Sequence, residues 1–124
     1  MASNKIIRVG PVALTNTLTT NILNPNVTSL SGPVGFTMTQ PYIILRHIRI
    51  SNKTAGAVTF SLWIDTTGGN TAGKEFMGTA QSVAANSYVD WYGMVRLDAA
   101  DFLVGGASAN TSLTLEAEGE IGLV

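Results

Sequence analysis

The amino-acid sequence predicts an all-β fold, a single antiparallel β-sandwich, on three observations. In Val58–Asp65, Val58, Phe60, Leu62 and Ile64 alternate with Thr59, Ser61, Trp63 and Asp65, the period of two of a half-buried strand. In Thr111–Leu123 one parity holds Leu113, Leu115, Ala117, Gly119, Ile121 and Leu123, while the other holds Ser112, Thr114, Glu116, Glu118 and Glu120. No segment sustains a helical period, and abundant Val, Thr, Gly and Asn depress helix further.

Composition bounds the rest. A chain of 124 residues fits one domain that removes roughly two-thirds of its unfolded surface from water. Cysteine is absent, so burial alone must hold the fold. Apolar residues make up 45% against 12% charged, a balance that points to surface covered by neighbours. No apolar run approaches the roughly 20 residues of a membrane helix, and no signal-like apolar block follows Lys5. Charge is divided along the chain. Lys5, Arg8, Arg46, Arg49 and Lys53 precede every acid, whereas all eight acids lie from Asp65 onward, opposed there by Lys74 and Arg96 alone. Interleaved halves would compensate one another; segregated halves would give two oppositely charged docking surfaces.

Taken in order, residues 1–24 form an N-terminal arm or edge strand, and residues 25–124 form the sandwich domain. Val12, Leu14, Leu18 and Ile22 share one parity, while Pro11 interrupts a long strand and so suits an edge or an arm that pairs outside the domain. Asn24-Pro25-Asn26 and Ser31-Gly32-Pro33 are loop signals, and Phe36 and Met38 mark a short strand ending near Pro41. Ile44, Ile48 and Ile50 then oppose Leu45, His47, Arg49 and Ser51 in parity. With Ser51–Gly56 as the turn, this segment and Val58–Asp65 are expected to form an antiparallel hairpin. Thr66–Gly73 is an exposed small-residue loop. Glu75–Gln81 and Val83–Ala85 are short strands, and Tyr88–Tyr92 is another with Val89 and Trp91 inward. Asp98–Asp101 turns the chain into Phe102–Val104, which Gly105-Gly106 is expected to break. About eight short strands at this spacing give a sandwich with jelly-roll or immunoglobulin-like connections.

Chemistry has little to work with. His47 is the only histidine, which excludes any site needing two, and without cysteine zinc lacks a ligand set; Glu116, Glu118 and Glu120 could at most hold calcium weakly. No serine sits in a nucleophile elbow, and the glycines of the 66–73 loop do not open a helix in phosphate-cradling form. The expectation is a protein that is not an enzyme, with no catalytic residue, metal or cofactor. Five scattered cations are too few for a nucleic-acid footprint. Trp63, off the core parity, is expected at the surface as an interface anchor, and Tyr88 and Tyr92 with Trp63 could form aromatic platforms beside Asp65 and Asp90. The alternative for Trp63 is a cover from a loop of its own domain.

From Ile44 to Ile121 the chain resembles small β-sandwich structural proteins of tailed bacteriophages. The resemblance lies in ILRHIRISN, VTFSLWI and SVAANSYVDWYGMVRLDAADFLVGG, with Ala85-Asn86-Ser87 before an aromatic strand, then Leu97 and Asp101-Phe102-Leu103. It implies a virion component made in the host cytoplasm and placed on the outer capsid surface. There it would act as a capsid decoration (cement) protein, a homotrimer bound to the major capsid protein, with no nucleic acid or membrane as partner. On that reading Ile6, Ile7 and Arg8 of the arm would reach a neighbour by strand addition. Arg46 and Arg49 would pair with carboxylates of a partner or with Glu116 and Glu118 inside the trimer. The alternative is a tail or fibre module binding host-surface carbohydrate through Trp63, Tyr88 and Tyr92.

Overall fold

The structure is a computed structural model and describes residues 4–25 and 41–123. The expected Phe36–Met38 strand and the Ser31-Gly32-Pro33 loop lie outside the described residues. The strands are β1 (Lys5–Ala13), β2 (Asn21–Leu23), β3 (Pro41–Asn52), β4 (Val58–Asp65), β5 (Glu75–Val83), β6 (Tyr88–Leu97), β7 (Phe102–Ala107) and β8 (Leu113–Leu123). No helix occurs among the described residues. One sheet has the order β1-β8-β3-β6 and the other β2-β7-β4-β5, with every neighbouring pair antiparallel. The molecule is a β-sandwich, as the alternating patterns predict.

Strand β1 pairs β8, β2 pairs β7, β3 pairs β6 and β4 pairs β5. The chain therefore runs as one long antiparallel ribbon whose tip is the 66–74 loop, bent so that alternate portions fall in different sheets. The expected hairpin is corrected by this path. β3 and β4 belong to different sheets, and residues 53–57 arch between the layers. Asn52 organises the arch from a buried position. Its Nδ2 donates to Gly56 O (2.9 Å) and Val83 O (3.0 Å), and its Oδ1 accepts from Thr54 N (2.9 Å). An asparagine next to a glycine-containing turn fits a hairpin and an arch equally, because both need turn chemistry and neither alters the flanking period of two.

Core residues come from both sheets, among them Leu45, Ile48 and Leu115 of the first and Phe60, Leu62 and Leu103 of the second. Strand β3 departs from its expected parity. The pairing slips between Leu45 and His47, where β3 spends an extra residue, Arg46, against β8. Ile43 and Leu45 therefore face inward before the bulge, and Ile48 and Ile50 after it, while Ile44 is only partly buried. Gly119 faces the bulge, where an added Cβ would run into Ile44 O.

The N-terminal segment is an edge strand of its own domain. Ile7 and Val9 are buried in this chain's core, and the register slips between Val9 and Val12, around Gly10-Pro11. Ile7 as a contact to a neighbour is corrected accordingly, since its side chain is 3% exposed. β7 runs through both glycines rather than stopping at them. Gly106 is needed there because an added Cβ would lie 2.6 Å from Thr15 O and 2.8 Å from Thr17 O. Edge strand β5 is a single strand, with Met77–Ala80 looped out between its two registers on β4.

Candidate functional site

The outer face of the β1-β8-β3-β6 sheet gathers most of the side chains singled out above. Register brings them together. Along one row Arg8, Glu118, His47 and Tyr92 stand opposite one another on β1, β8, β3 and β6. In the next row Glu116, Arg49 and Asp90 do the same. The Arg46 bulge is what sets this phase, because it turns His47 and Arg49 outward while Ile48 and Ile50 enter the core.

At the centre His47 Nε2 donates to Asp90 Oδ1 at 2.8 Å, and Nδ1 lies 3.0 Å from Glu118 Oε1. Arg49 forks onto the same aspartate, Nε to Oδ1 at 2.8 Å and Nη2 to Oδ2 at 3.0 Å. This planar two-point contact fixes the carboxylate as well as pairing its charge. The Tyr92 ring stacks on His47 at 4.6 Å between centroids and 13° between planes, and the Arg49 guanidinium sits 4.2 Å over the Tyr88 ring. Nearby, Arg46 Nη1 donates to Glu120 Oε2 at 2.8 Å, Asn4 Nδ2 to Oε1 at 3.2 Å, and Tyr42 Oη to Asn4 Oδ1 at 2.8 Å.

Electrostatics follow from these contacts. Partial burial alone would lower the His47 pKa, but the hydrogen bonds to Glu118 and Asp90 and their charges together raise it above the ordinary 6.5. Arg49 and then His47 hold the Asp90 carboxyl down at about 2, and Asn4 and Arg46 depress Glu120. The division of charge along the chain thus becomes compensation across strands: β3 supplies the cations, and β6 and β8 the anions.

The chain matches no protein-family model, and no curated protein matches it. What the site can do is therefore argued from its geometry.

Of the residues expected to act, Ile6, Arg8, Arg46, Arg49, Tyr88, Tyr92, Glu116 and Glu118 all lie on the strands of this sheet, outside its core. Trp63 does not. It lies in β4 of the other sheet and is 6% exposed, which corrects its expected surface position. It shares the outer face of that sheet with Ser61 and with their partners Val104 and Gly106, and Thr15 O and Thr17 O lie against Gly106. Its Nε1 has no hydrogen-bond partner among the described residues. The arginines find carboxylates within the chain, but different ones from those expected: Glu120 for Arg46 and Asp90 for Arg49.

The sequence offers His47 only as a lone histidine and Asp90 only as a polar group beside aromatic platforms, yet they form the hub. The His47 side chain is only 16% exposed. A sequence signal existed in the placement of one histidine on a polar strand face with acids on two later strands. Only the strand order says that those two strands flank it.

Proposed function

We propose that this chain is a non-enzymatic structural virion protein that docks on the outer face of a phage capsid and stabilises the shell, using the outer face of the β1-β8-β3-β6 sheet. The observation that carries this reading is the placement of large exposed apolar side chains. Ile6 on β1, and Tyr88, Tyr92 and Met94 on β6, flank a charged centre in which Arg46 and Arg49 are already paired. A polar, prearranged middle between apolar margins suits a protein contact, because aromatic and methionine side chains contribute contact area at little desolvation cost. Binding is favoured over catalysis because both ring nitrogens of His47 face carboxylates. The strand order supports the jelly-roll connection over the immunoglobulin-like one: β1 pairs β8 and β2 pairs β7, where an immunoglobulin-like sandwich begins with adjacent first and second strands. The protein would act as a homotrimer bound to the major capsid protein.

Light scattering on the purified chain, followed by co-sedimentation with empty heads of its phage, tests this. A trimer that pellets at a fixed ratio to the major capsid protein is the expected result; a monomer left in the supernatant overturns it. A second reading, a carbohydrate-binding tail module, draws support from the Tyr92 ring, 70% exposed, stacked on His47 beside Asp90. Saturable sugar binding lost in Tyr92→Ala, without shell binding, would establish that one instead.

A further inference from the structure

The His47 ring poses a problem of charge placement that is independent of any docking role. Its Nε2 points at Asp90, a carboxylate locked by Arg49, and an ionised carboxylate only accepts; Nε2 therefore carries a proton. The other nitrogen, Nδ1, faces Glu118 Oε1 at 3.0 Å. Glu116 is drawn to the same place, since one ligand atom each from His47, Glu116 and Glu118 lie within 4.8 Å of one another. In the resting protein a proton on Nδ1 bridges to Glu118, and an ion that displaces it meets a nitrogen lone pair and two carboxylates turned toward one point.

We propose that His47 Nδ1 and the carboxylates of Glu116 and Glu118 bind a divalent transition-metal ion, with Zn²⁺ the best fit, on the outer face of the β1-β8-β3-β6 sheet. Three features carry the inference. Donors bonded to zinc at about 2.0–2.2 Å stand roughly 3–4 Å apart; the Nδ1 to Glu118 spacing already meets this, and Glu116 closes by side-chain rotation. Asp90 behind Nε2 is the outer carboxylate that metal-bound imidazoles use to fix their tautomer and raise their basicity. Arg49 fixes Asp90 in turn, so the support reaches one layer further back. One imidazole and two carboxylates with no sulfur favour zinc and its first-row neighbours over calcium or magnesium, which prefer oxygen alone. Glu116 and Glu118 are spaced two apart on one face of β8, and His47 stands opposite Glu118, so the ligands come from two paired strands of a rigid sheet. Water would complete the coordination on the solvent side, where Glu118 is 56% exposed.

The single histidine makes the test direct, because every imidazole signal in a nuclear magnetic resonance spectrum of the full chain belongs to His47. Zn²⁺ added at neutral pH is expected to shift the ring signals and saturate at one ion per chain, while Ca²⁺ and Mg²⁺ leave them in place. Glu116→Gln and Glu118→Gln, at positions outside the core, should each weaken Zn²⁺ binding by about tenfold or more, and Asp90→Asn by about 10–100-fold as an outer partner. Ring signals unmoved by millimolar Zn²⁺ would overturn the site. So would a Glu116→Gln, Glu118→Gln double variant that binds as tightly as the parent, since the imidazole alone would then be the ligand.

Discussion

Asp65 shows how one side chain can hold a loop. It is buried at the end of β4, where Oδ1 accepts from Thr66 N at 2.7 Å and Lys74 Nζ at 3.3 Å, and Oδ2 accepts from Thr71 N at 3.0 Å. The hydrogen bonds from Thr71, then that from Thr66, hold its carboxyl well below the usual 3.8. A folded-state pKa depressed in this way adds stability that is complete above the unfolded value and is lost as pH falls through the folded one. Asp65→Asn should therefore have a lower urea midpoint than the parent at pH 7. The gap should narrow as pH drops below about 4, where the parent carboxylate begins to lose the same advantage. Urea curves for both proteins at neutral and acidic pH check this, and an equal gap at both would show that the charge does not matter. Gly106 is a second case, set by space. With Thr15 O and Thr17 O placed where a Cβ would go, Gly106→Val must push the covering loop away, at an expected cost of about 1–3 kcal/mol in urea denaturation.

The elements divide into those whose neighbours matter and those whose neighbours do not. β8 was legible throughout: its alternation is unbroken, its even positions are polar and its odd positions are buried from Leu113 to Ile121. β3 was half legible, because the Arg46 bulge exchanges the two faces and nothing in Ile43-Ile44-Leu45 marks it, all three being apolar. The arch between β3 and β4 was missed because a period of two describes a strand and not its partner. Trp63 was misplaced because parity within β4 does not show what lies over its outer face, where Thr15 and Thr17, far away in the chain, close on Gly106. In the site, parity alone placed Glu116, Glu118 and Arg49 on polar faces, but the pairing of His47 with Asp90 required the β3-β6 register. The arch also carries a prediction. Asn52→Ala removes two donations to carbonyls, one of them at the buried Val83 O, and the acceptor that turns Thr54. Val83 O, at a buried position, loses its Asn52 donor, whereas Gly56 is exposed and its O keeps the Thr54 Oγ1 donor at 2.9 Å, so a total loss of about 1–3 kcal/mol is expected. A loss under about 0.5 kcal/mol would mean that the arch is held by strand pairing alone.

For the whole molecule, the path of the ribbon decides what the outer face of the β1-β8-β3-β6 sheet presents. Because β3 lies between β8 and β6, its cations meet acids from both sides, and Arg46 and Arg49 are paired within the chain. What remains open is the apolar margin, above all Tyr88, Tyr92 and Met94 on the edge strand β6. On the proposed docking reading, shell binding should then depend on contact area and only weakly on ionic strength. Salt screens charges more than about 10 Å apart at 0.1 M, but it acts little on charges already paired within one subunit and not at all on apolar burial. Raising salt tenfold is expected to change the dissociation constant by less than about threefold. Tyr88→Ala with Met94→Ala should weaken binding by about 30-fold or more, the scale at which exposed aromatic anchors act when a contact buries them. Both residues are exposed, at 54% and 66%, so the double variant should keep the parent's melting temperature and the loss would belong to the contact. Co-sedimentation across a salt series, run with parent and variant, separates the two terms. Binding that collapses with salt while the variant binds normally would assign the contact to charge and move it away from the β6 margin.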